Sequence, residues 1–314
     1  MFTRIDHVVI AVADVLQGMA QYRKLGFDIY PGGAHPGMGT HNAIALNQDD
    51  YMELLAIRDP AEQSAAAARP GSWVAGLAEF VAAGGGIRYI VLQSDDLIAD
   101  VAAMRNRGVD VSDAMAGSRF TAAGQELRWK LAMLGGQNAL PIFFIEHLTP
   151  MAERRKQVPS AAAQTTPSPA MPPYAMKERG FHPNGVYALE RSYIVTPDVE
   201  RAAATYARVL GLPQPPITPG TVIMSDMAVF QIGATGLGVV QPYAPGPAAD
   251  ALERRGPGPF QALFRTTSMG AAARWMKEQG LPPLARGVRN TGEHAMLATP
   301  AEACGAYIGF VGPE

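Results

Sequence analysis

The sequence predicts an α+β fold of four βαβββ modules, paired into two domains whose sheets each form a cleft. Three observations predict it. A strand, an acidic or Ser helix start, a helix and a closing glycine recur four times: IDHVVIAVADV…KLGF from Ile5, IRYIVLQSDDL…NRGV from Ile87, LERSYIVTPDV…VLGL from Leu189 and FQALFRTTSMG…EQGL from Phe260. Self-similarity of this kind fixes an architecture before any single residue does. Each module covers one sheet face with its helix and leaves the other bare, so two modules must face one another. A chain of 314 residues is long enough to hold two such cores.

In the first module Ile5–Val12 is a β-branched run, Asp14 is a helix N-cap and Gly26 closes the helix. Three further strands are expected around Phe27–Tyr30, His41–Leu46 and Tyr51–Ile57, separated by Gly, Pro, Asn and Asp turns. Ala61–Gly86 reads as a helical connector. The second module runs from Ile87 to Leu148, its helix starting near Asp95–Asp96 and stopping at Gly108. In its LRWKLAML segment Leu127, Trp129, Leu131 and Met133 share one face, Arg128 and Lys130 the other. Pro150–Pro183 is rich in Pro, Ala and Ser and reads as a linker. Modules three and four follow, with Pro197–Asp198 and Gly211 bounding one helix and Ser268 and Gly280 the other. The expected division is residues 1–149, a linker over 150–185, and residues 186–314.

Composition narrows the function classes. A net charge of −2 gives no electrostatic case for nucleic acid or an anionic membrane. The N-terminal apolar run is broken by Asp6, His7 and Asp14, so it is not expected to act as a signal peptide. No stretch approaches the roughly 18 apolar residues of a membrane span. The one cysteine, Cys304, excludes an intramolecular disulfide and a multi-cysteine zinc site. The expectation is a cytoplasmic protein acting on a small molecule, with no nucleic-acid or membrane partner and with a homodimer allowed.

Strand alternation puts His7, Val9 and Ala11 on one face and the apolar Val8, Ile10 and Val12 on the other, under the helix. His7 therefore faces the cleft. Glu53 lies in the strand closing the first module, and Glu146 in the strand closing the second, where it shares a face with Phe144 opposite Phe143, Ile145 and His147. A carboxylate among apolar neighbours needs compensation. A divalent cation on His7, Glu53 and Glu146 would supply it, and mixed imidazole and carboxylate ligation suits Zn, Ni, Co, Mn or Fe(II). The bland reading stays open beside it: His7 bonded to Asp6 or to backbone, Glu53 reaching solvent, Glu146 and His147 exposed at a strand end. His41 and Asn42 either line the cleft or mark a turn, and His35 sits in the glycine-rich GGAHPGMG loop, which lacks a phosphate-binding ending.

The echoed modules, the opening DHVVIAVAD, the closing YMELL and the segment PGGAHPGMGTHN resemble the vicinal oxygen chelate superfamily, in particular its glyoxalase-like domain branch. The resemblance is strongest over residues 4–148 and continues through HPNG (His182–Gly185) into a weaker second half. It implies domains of the glyoxalase/bleomycin-resistance type with mixed curved sheets. It implies His7 as the first metal ligand, Glu53 as the second and Glu146 as the fourth, while the third, commonly His, falls on Tyr89. In the second half the matching strand positions are Arg191 and Gln261, and the closing strands lack carboxylates, so a second metal site is not expected.

The resemblance further implies a divalent-metal-dependent lyase or isomerase that passes through an enolate-like intermediate. Glu53 or Glu146 would move the proton, with His41, Asn42, Tyr89, Arg119 and Arg128 on the substrate and Lys130 beside them. The alternative is a metal-free protein of the same fold that binds or sequesters a small molecule; a ring-cleaving dioxygenase is the third reading. Fold alone does not choose among them.

Overall fold

The computed structural model describes residues 1–121, 124–136, 140–156, 182–282 and 284–314. The first module is β1 (Phe2–Ala11), α1 (Val15–Lys24), β2 (Tyr30–His35), β3 (Thr40–Leu46) and β4 (Tyr51–Ile57). Two short helices follow, α2 (Pro60–Ala67) and α3 (Leu77–Ala82). The second module is β5 (Gly86–Ser94), α4 (Leu97–Asn106), β6 (Met115–Phe120), β7 (Glu126–Met133) and β8 (Ile142–His147), and α5 (Met151–Lys156) comes after it. The second half holds β9 (Val186–Val195), α6 (Val199–Leu210), β10 (Thr218–Gly220), β11 (Ser225–Ile232) and β12 (Thr235–Pro242). It continues with α7 (Pro247–Arg255), β13 (Gly258–Thr266), α8 (Met269–Glu278), β14 (Ala285–Val288), β15 (His294–Ala298) and β16 (Tyr307–Gly312).

The strands make two eight-stranded mixed sheets of the same order, β2-β3-β4-β1-β5-β8-β7-β6 and β10-β11-β12-β9-β13-β16-β15-β14. In every module the opening strand pairs parallel with the closing one, and the two opening strands of a sheet pair antiparallel at its centre. The four echoed helix starts behave alike. Asp14, Asp96, Asp198 and Ser268 each accept the backbone N–H three residues on (Gln17, Ala99, Arg201 and Ala271).

The apolar alternation sorts the layers. Ile5, Val8 and Ile10 of β1 join Met19 and Tyr22 of α1 and Val101 of α4 in a core that also contains Tyr206 of α6, Phe264 of β13 and Phe310 of β16. The helix-covered faces of both sheets thus share one interior. The opposite, concave face of each sheet carries its own smaller cluster: Val9, Ala11, Leu55, Tyr89 and Val91 in the first sheet, Tyr193, Phe260, Leu263 and Tyr307 in the second.

Two local expectations change. The second strand begins at Tyr30, where it was expected to end, and absorbs Pro31, Gly32 and Gly33. A register shift between Pro31 and Gly33 marks a bulge on this edge strand, a place where Pro and Gly are tolerated. The expected linker also begins with a helix, α5, and its far end is packed. His182 Nδ1 accepts from Asp28 N–H at 2.9 Å, and its Nε2–H donates to Asn47 Oδ1 at 2.8 Å. The linker residues between them, 157–181, lie outside the described residues. No helix among the described residues is long and apolar enough to cross a membrane.

Candidate active site

The concave face of the first sheet encloses a cavity of about 410 Å³. Its polar end is set by a bulge in β1. Ile5 pairs with Leu92 and His7 with Val91, so Asp6 is an extra residue with no opposite number. Such an insertion shifts the alternation by one. Ile5, Val8 and Ile10 remain on the helix side, while Asp6 and His7, adjacent in sequence, both turn to the concave side.

The result is a buried carboxylate–imidazole pair, with His7 Nδ1 2.8 Å from Asp6 Oδ2. Burial raises the Asp6 carboxyl, but the charge and hydrogen bonds of His147 and His7 outweigh it and hold Asp6 well below the usual carboxylate value. Nδ1–H then donates to Asp6, and the free lone pair of His7 is on Nε2. That nitrogen lies 3.6 Å from Glu53 Oε2 and 3.5 Å from the Tyr51 hydroxyl, whose ring stacks on the imidazole. Burial, with Asp6 and Glu53 nearby, pushes the Tyr51 phenol well above its ordinary value, so it keeps its proton.

Glu53 is 8 % exposed, and its Oε1 accepts from Asn42 Nδ2 at 3.0 Å. The same amide lies 3.2 Å from His35 Nε2, which makes that nitrogen an acceptor and directs His35 Nδ1–H to Thr40 Oγ1 at 2.9 Å. Burial, despite Glu53, lowers the His35 pKa and keeps the ring neutral. Much of the remaining wall is apolar and aromatic, including Trp73, Tyr89, Trp129, Met133, Phe143 and Ile145. Tyr89 donates its hydroxyl to the Trp73 carbonyl at 2.9 Å, and burial raises its pKa. Arg119 Nη1 donates to Gly32 O at 2.7 Å and holds the β6 edge against the β2 edge.

Of the residues expected in the cleft, His7, Glu53, Asn42, Tyr89 and Arg119 line the cavity together. Arg128 sits at its exposed margin, with its backbone N–H bonded to Thr149 Oγ1. His41 is a correction. As the strand neighbour of Asn42 it turns to the other face, where burial, Arg58 and Asp14 act on it. Glu146 is a second correction. It lies on the helix side of β8, where Oε2 accepts from Leu97 N–H at 3.0 Å at the start of α4 and Oε1 pairs with Lys130 at 2.9 Å. Its carboxylate is compensated by a helix N-terminus and an ammonium instead of a cation in the cleft. Lys130 shares that face and leaves the cavity.

The face of β8 that does reach the cavity is Phe143, Ile145 and His147. His147 Nε2 lies 3.0 Å from Asp6 Oδ2 and 3.1 Å from Arg154 Nη1, so Asp6 stands between two imidazoles. Burial lowers the His147 pKa, against the pull of Asp6. Tyr51, His147 and Arg154 were not expected as site residues. The Phe-x-Ile-x-His alternation was the available signal for His147. Arg154, on α5, had none.

These residues do not fit a resident metal of the expected kind. Among the described residues no group of three His, Cys, Asp or Glu side chains is placed to hold a metal ion. The internal symmetry shows why. His7 pairs with Tyr51 and Val9 with Glu53; in the second module Val91 pairs with Phe143. Tyr89 thus replaces a second imidazole, and Phe143, not Glu146, replaces the second carboxylate. The four equivalent positions hold two donors. In the second sheet they hold Arg191, Gly238, Gln261 and Gly309, with no imidazole or carboxylate.

Searches against solved structures show the fold in other proteins. A hypothetical protein from Staphylococcus aureus aligns over 98 % of this chain and 99 % of its own, with a TM-score of 0.63 and 13 % identity. A variant of 4-hydroxymandelate synthase from Streptomyces coelicolor aligns over 100 % of this chain and 93 % of its own, with a TM-score of 0.60 and 12 % identity. A fusion of a xylose isomerase-like TIM barrel with 4-hydroxyphenylpyruvate dioxygenase aligns over 99 % of this chain and 49 % of its own, at 0.57 and 10 %. No curated protein sequence matches. The profile of the family described as Glyoxalase-like domain matches residues 5–210, two thirds of the chain. The chain belongs to the glyoxalase-like domain family of the vicinal oxygen chelate superfamily.

Proposed function

We propose that the cavity of the first sheet is the active site of a lyase- or isomerase-type enzyme that moves a proton at a carbon next to a carbonyl of a small oxygenated metabolite. The observation that carries this reading is the Asp6–His7 pair with its free Nε2 aimed at Glu53 inside an apolar enclosure. His7 Nε2 takes the proton. The C–H bond breaks, an N–H bond forms, and the electron pair moves onto the carbonyl oxygen. Asp6 behind and Glu53 in front stabilise the imidazolium, and the protonated Tyr51 hydroxyl donates to the enolate oxygen. Return of the proton to the same carbon completes an epimerisation; on a 2-hydroxy carbonyl compound, return to the neighbouring carbon completes an isomerisation once the hydroxyl proton has passed to the enolate oxygen. No step is assigned to a metal.

The test is deuterium uptake from solvent into the α-carbon of 2-hydroxy, 2-keto and vicinal-dioxygen compounds, read by proton NMR. Uptake that disappears in His7→Ala, and persists after dialysis against a chelator, is the expected result. Uptake abolished by the chelator and restored by one divalent ion would replace this reading with a metal-dependent one. Saturable binding without uptake would favour a second reading, a metal-free binding protein, which Tyr89 and Phe143 at donor positions support. An extradiol-type dioxygenase requires two imidazoles and a carboxylate on one ion, of which the four equivalent strand positions supply His7 and Glu53.

A further inference from the structure

The charges around the cavity do not balance. Its lining carries three guanidinium groups, Arg119, Arg128 and Arg154, against one carboxylate, Glu53. Glu53 is engaged by Asn42, and Asp6 behind the wall is engaged by His7 and His147. Among the described residues neither Arg119 nor Arg154 forms an ion pair; Arg119 bonds a backbone carbonyl, and Arg154 meets only His147.

The contact of Arg154 is also a compromised one. His147 Nε2 lies within hydrogen-bond distance of both Asp6 Oδ2 and Arg154 Nη1. One ring nitrogen either donates a proton or offers a lone pair, never both. Asp6, buried and ionised, accepts a hydrogen bond and cannot donate one, so Nε2 carries the proton toward Asp6. Arg154 Nη1 then faces a nitrogen with no lone pair. Its Nε, also buried, has no partner among the described residues. A partly buried guanidinium with donors unused is costly, and the group that satisfies it best is a carboxylate, whose two oxygens match the guanidinium fork.

We infer that the ligand of this cavity is a small monocarboxylate with an apolar or aromatic body, anchored through its carboxylate by Arg154 with help from Arg119, its body lying against Trp73, Trp129 and Phe143. This rests on reading the cavity as the active site. It names Arg154 as the residue that aligns the substrate, since the Asp6–His147 contact ties the guanidinium to the same carboxylate that orients His7. An anchored carboxylate therefore sets its neighbouring carbon toward the His7 end.

Trp73 and Trp129 line the cavity, whereas the remaining tryptophan, Trp275, lies on α8 and bonds Arg23 O. Tryptophan fluorescence therefore reports occupancy. The experiment titrates wild type, Arg154→Gln and Arg154→Lys with phenylacetate, 3-phenylpropionate and their primary amides, after circular dichroism shows equal folding. The expected result is that at least one acid binds, its amide binds about tenfold or more weakly, Arg154→Gln weakens the acid about tenfold with no effect on the amide, and Arg154→Lys recovers part of the loss. Equal binding of acid and amide, an acid affinity unmoved by Arg154→Gln, or no acid binding overturns the inference. Acid binding that depends on Arg154 without α-deuterium uptake leaves the inference standing and sinks the proton-transfer reading, so the two fail separately.

Discussion

Glu146 of β8 and Gln241 of β12 do the same work in different halves of the chain: each offers a side-chain oxygen to the first backbone N–H of the helix beside it, Leu97 of α4 at 3.0 Å and Val199 of α6 at 3.1 Å. A neutral amide serves at one position where a carboxylate serves at the other. The role is therefore helix anchoring, outside the cavity. Glu146→Gln is expected to keep stability within a few tenths of a kcal/mol and Glu146→Ala to cost about 1 kcal/mol in urea unfolding. Both should leave fluorescence titrations of the cavity unchanged. Loss of ligand binding in a folded Glu146→Gln protein would contradict this assignment.

The equivalence of Tyr89 with His7 and of Phe143 with Glu53 gives a gain-of-function prediction. Tyr89→His combined with Phe143→Glu supplies the two donors that the second module lacks. Cobalt(II) titration, followed by its visible absorption, should show the double variant binding at least tenfold tighter than wild type, with Tyr89→His alone intermediate. If the double variant gains nothing, the four positions do not converge as the registers require.

Two buried groups at the junction of the halves give opposite pH dependences. Burial pulls His182 down to about 3, and both its nitrogens are in use, so a second ring proton would meet the Asp28 N–H. Its folded value lies below its unfolded value of about 6.5, so its stability contribution is complete above that pH and is lost as pH falls from there toward 3. Asp50, which accepts from Leu189 N–H and from Asn47, is pushed by burial up to about 7. Its folded value lies above the unfolded 3.8, so its contribution is complete below 3.8 and is lost as pH rises from there through 7. Each loss is on the order of 4 kcal/mol at its limit. Urea midpoints measured across pH should show Asp50→Asn flattening the alkaline decline while leaving the acid one. An unchanged alkaline slope in that variant would remove Asp50 as its source.

Gly37 and Gly39, two residues apart in the PGMG turn, should respond very differently to a methyl group. Both have positive φ, +71° and +66°. A Cβ on Gly37 meets nothing within 4 Å, whereas one on Gly39 would lie 2.2 Å from Gln63 N and 2.5 Å from Asp59 O, backbone atoms at the start of α2. Gly37→Ala is expected to cost about 1 kcal/mol, the strain of the left-handed conformation alone. Gly39→Ala should cost several-fold more and weaken cavity binding too, because Pro36 and Met38 line that wall. Equal costs by thermal unfolding would count against the packing described.

What could be read from the sequence divides by the range of the interaction involved. The four modules and their capped helices were legible because a strand, a capping side chain and a closing glycine are local signals. The inward faces of His7 and Glu53 were legible because Val8, Ile10, Met52 and Leu54 mark the opposite faces plainly. Glu146 was misread because β8 is apolar on both faces, Ile142 and Phe144 against Phe143 and Ile145, so alternation gives a period without a phase. Asp6 was hidden because the bulge that turns it inward belongs to the pairing of β1 with β5. Arg154 was hidden because its reach depends on where α5 lies after the sheet has formed. His41 and Asn42 are a different case: as adjacent strand residues only one of them could enter the cleft.

The single interior beneath both sheets has an evolutionary consequence. In a chain of repeated modules where each half supplies part of the other's packing, the second half is retained for its core even without catalytic groups of its own. Substitution is then free on one side of that half only. Its concave surface can drift to Arg191, Gly238, Gln261 and Gly309, while Tyr206, Phe264 and Phe310 must keep meeting the residues of the first half. The second half thus serves as packing support for the first, and homologues are expected to vary most on the concave face of the second sheet.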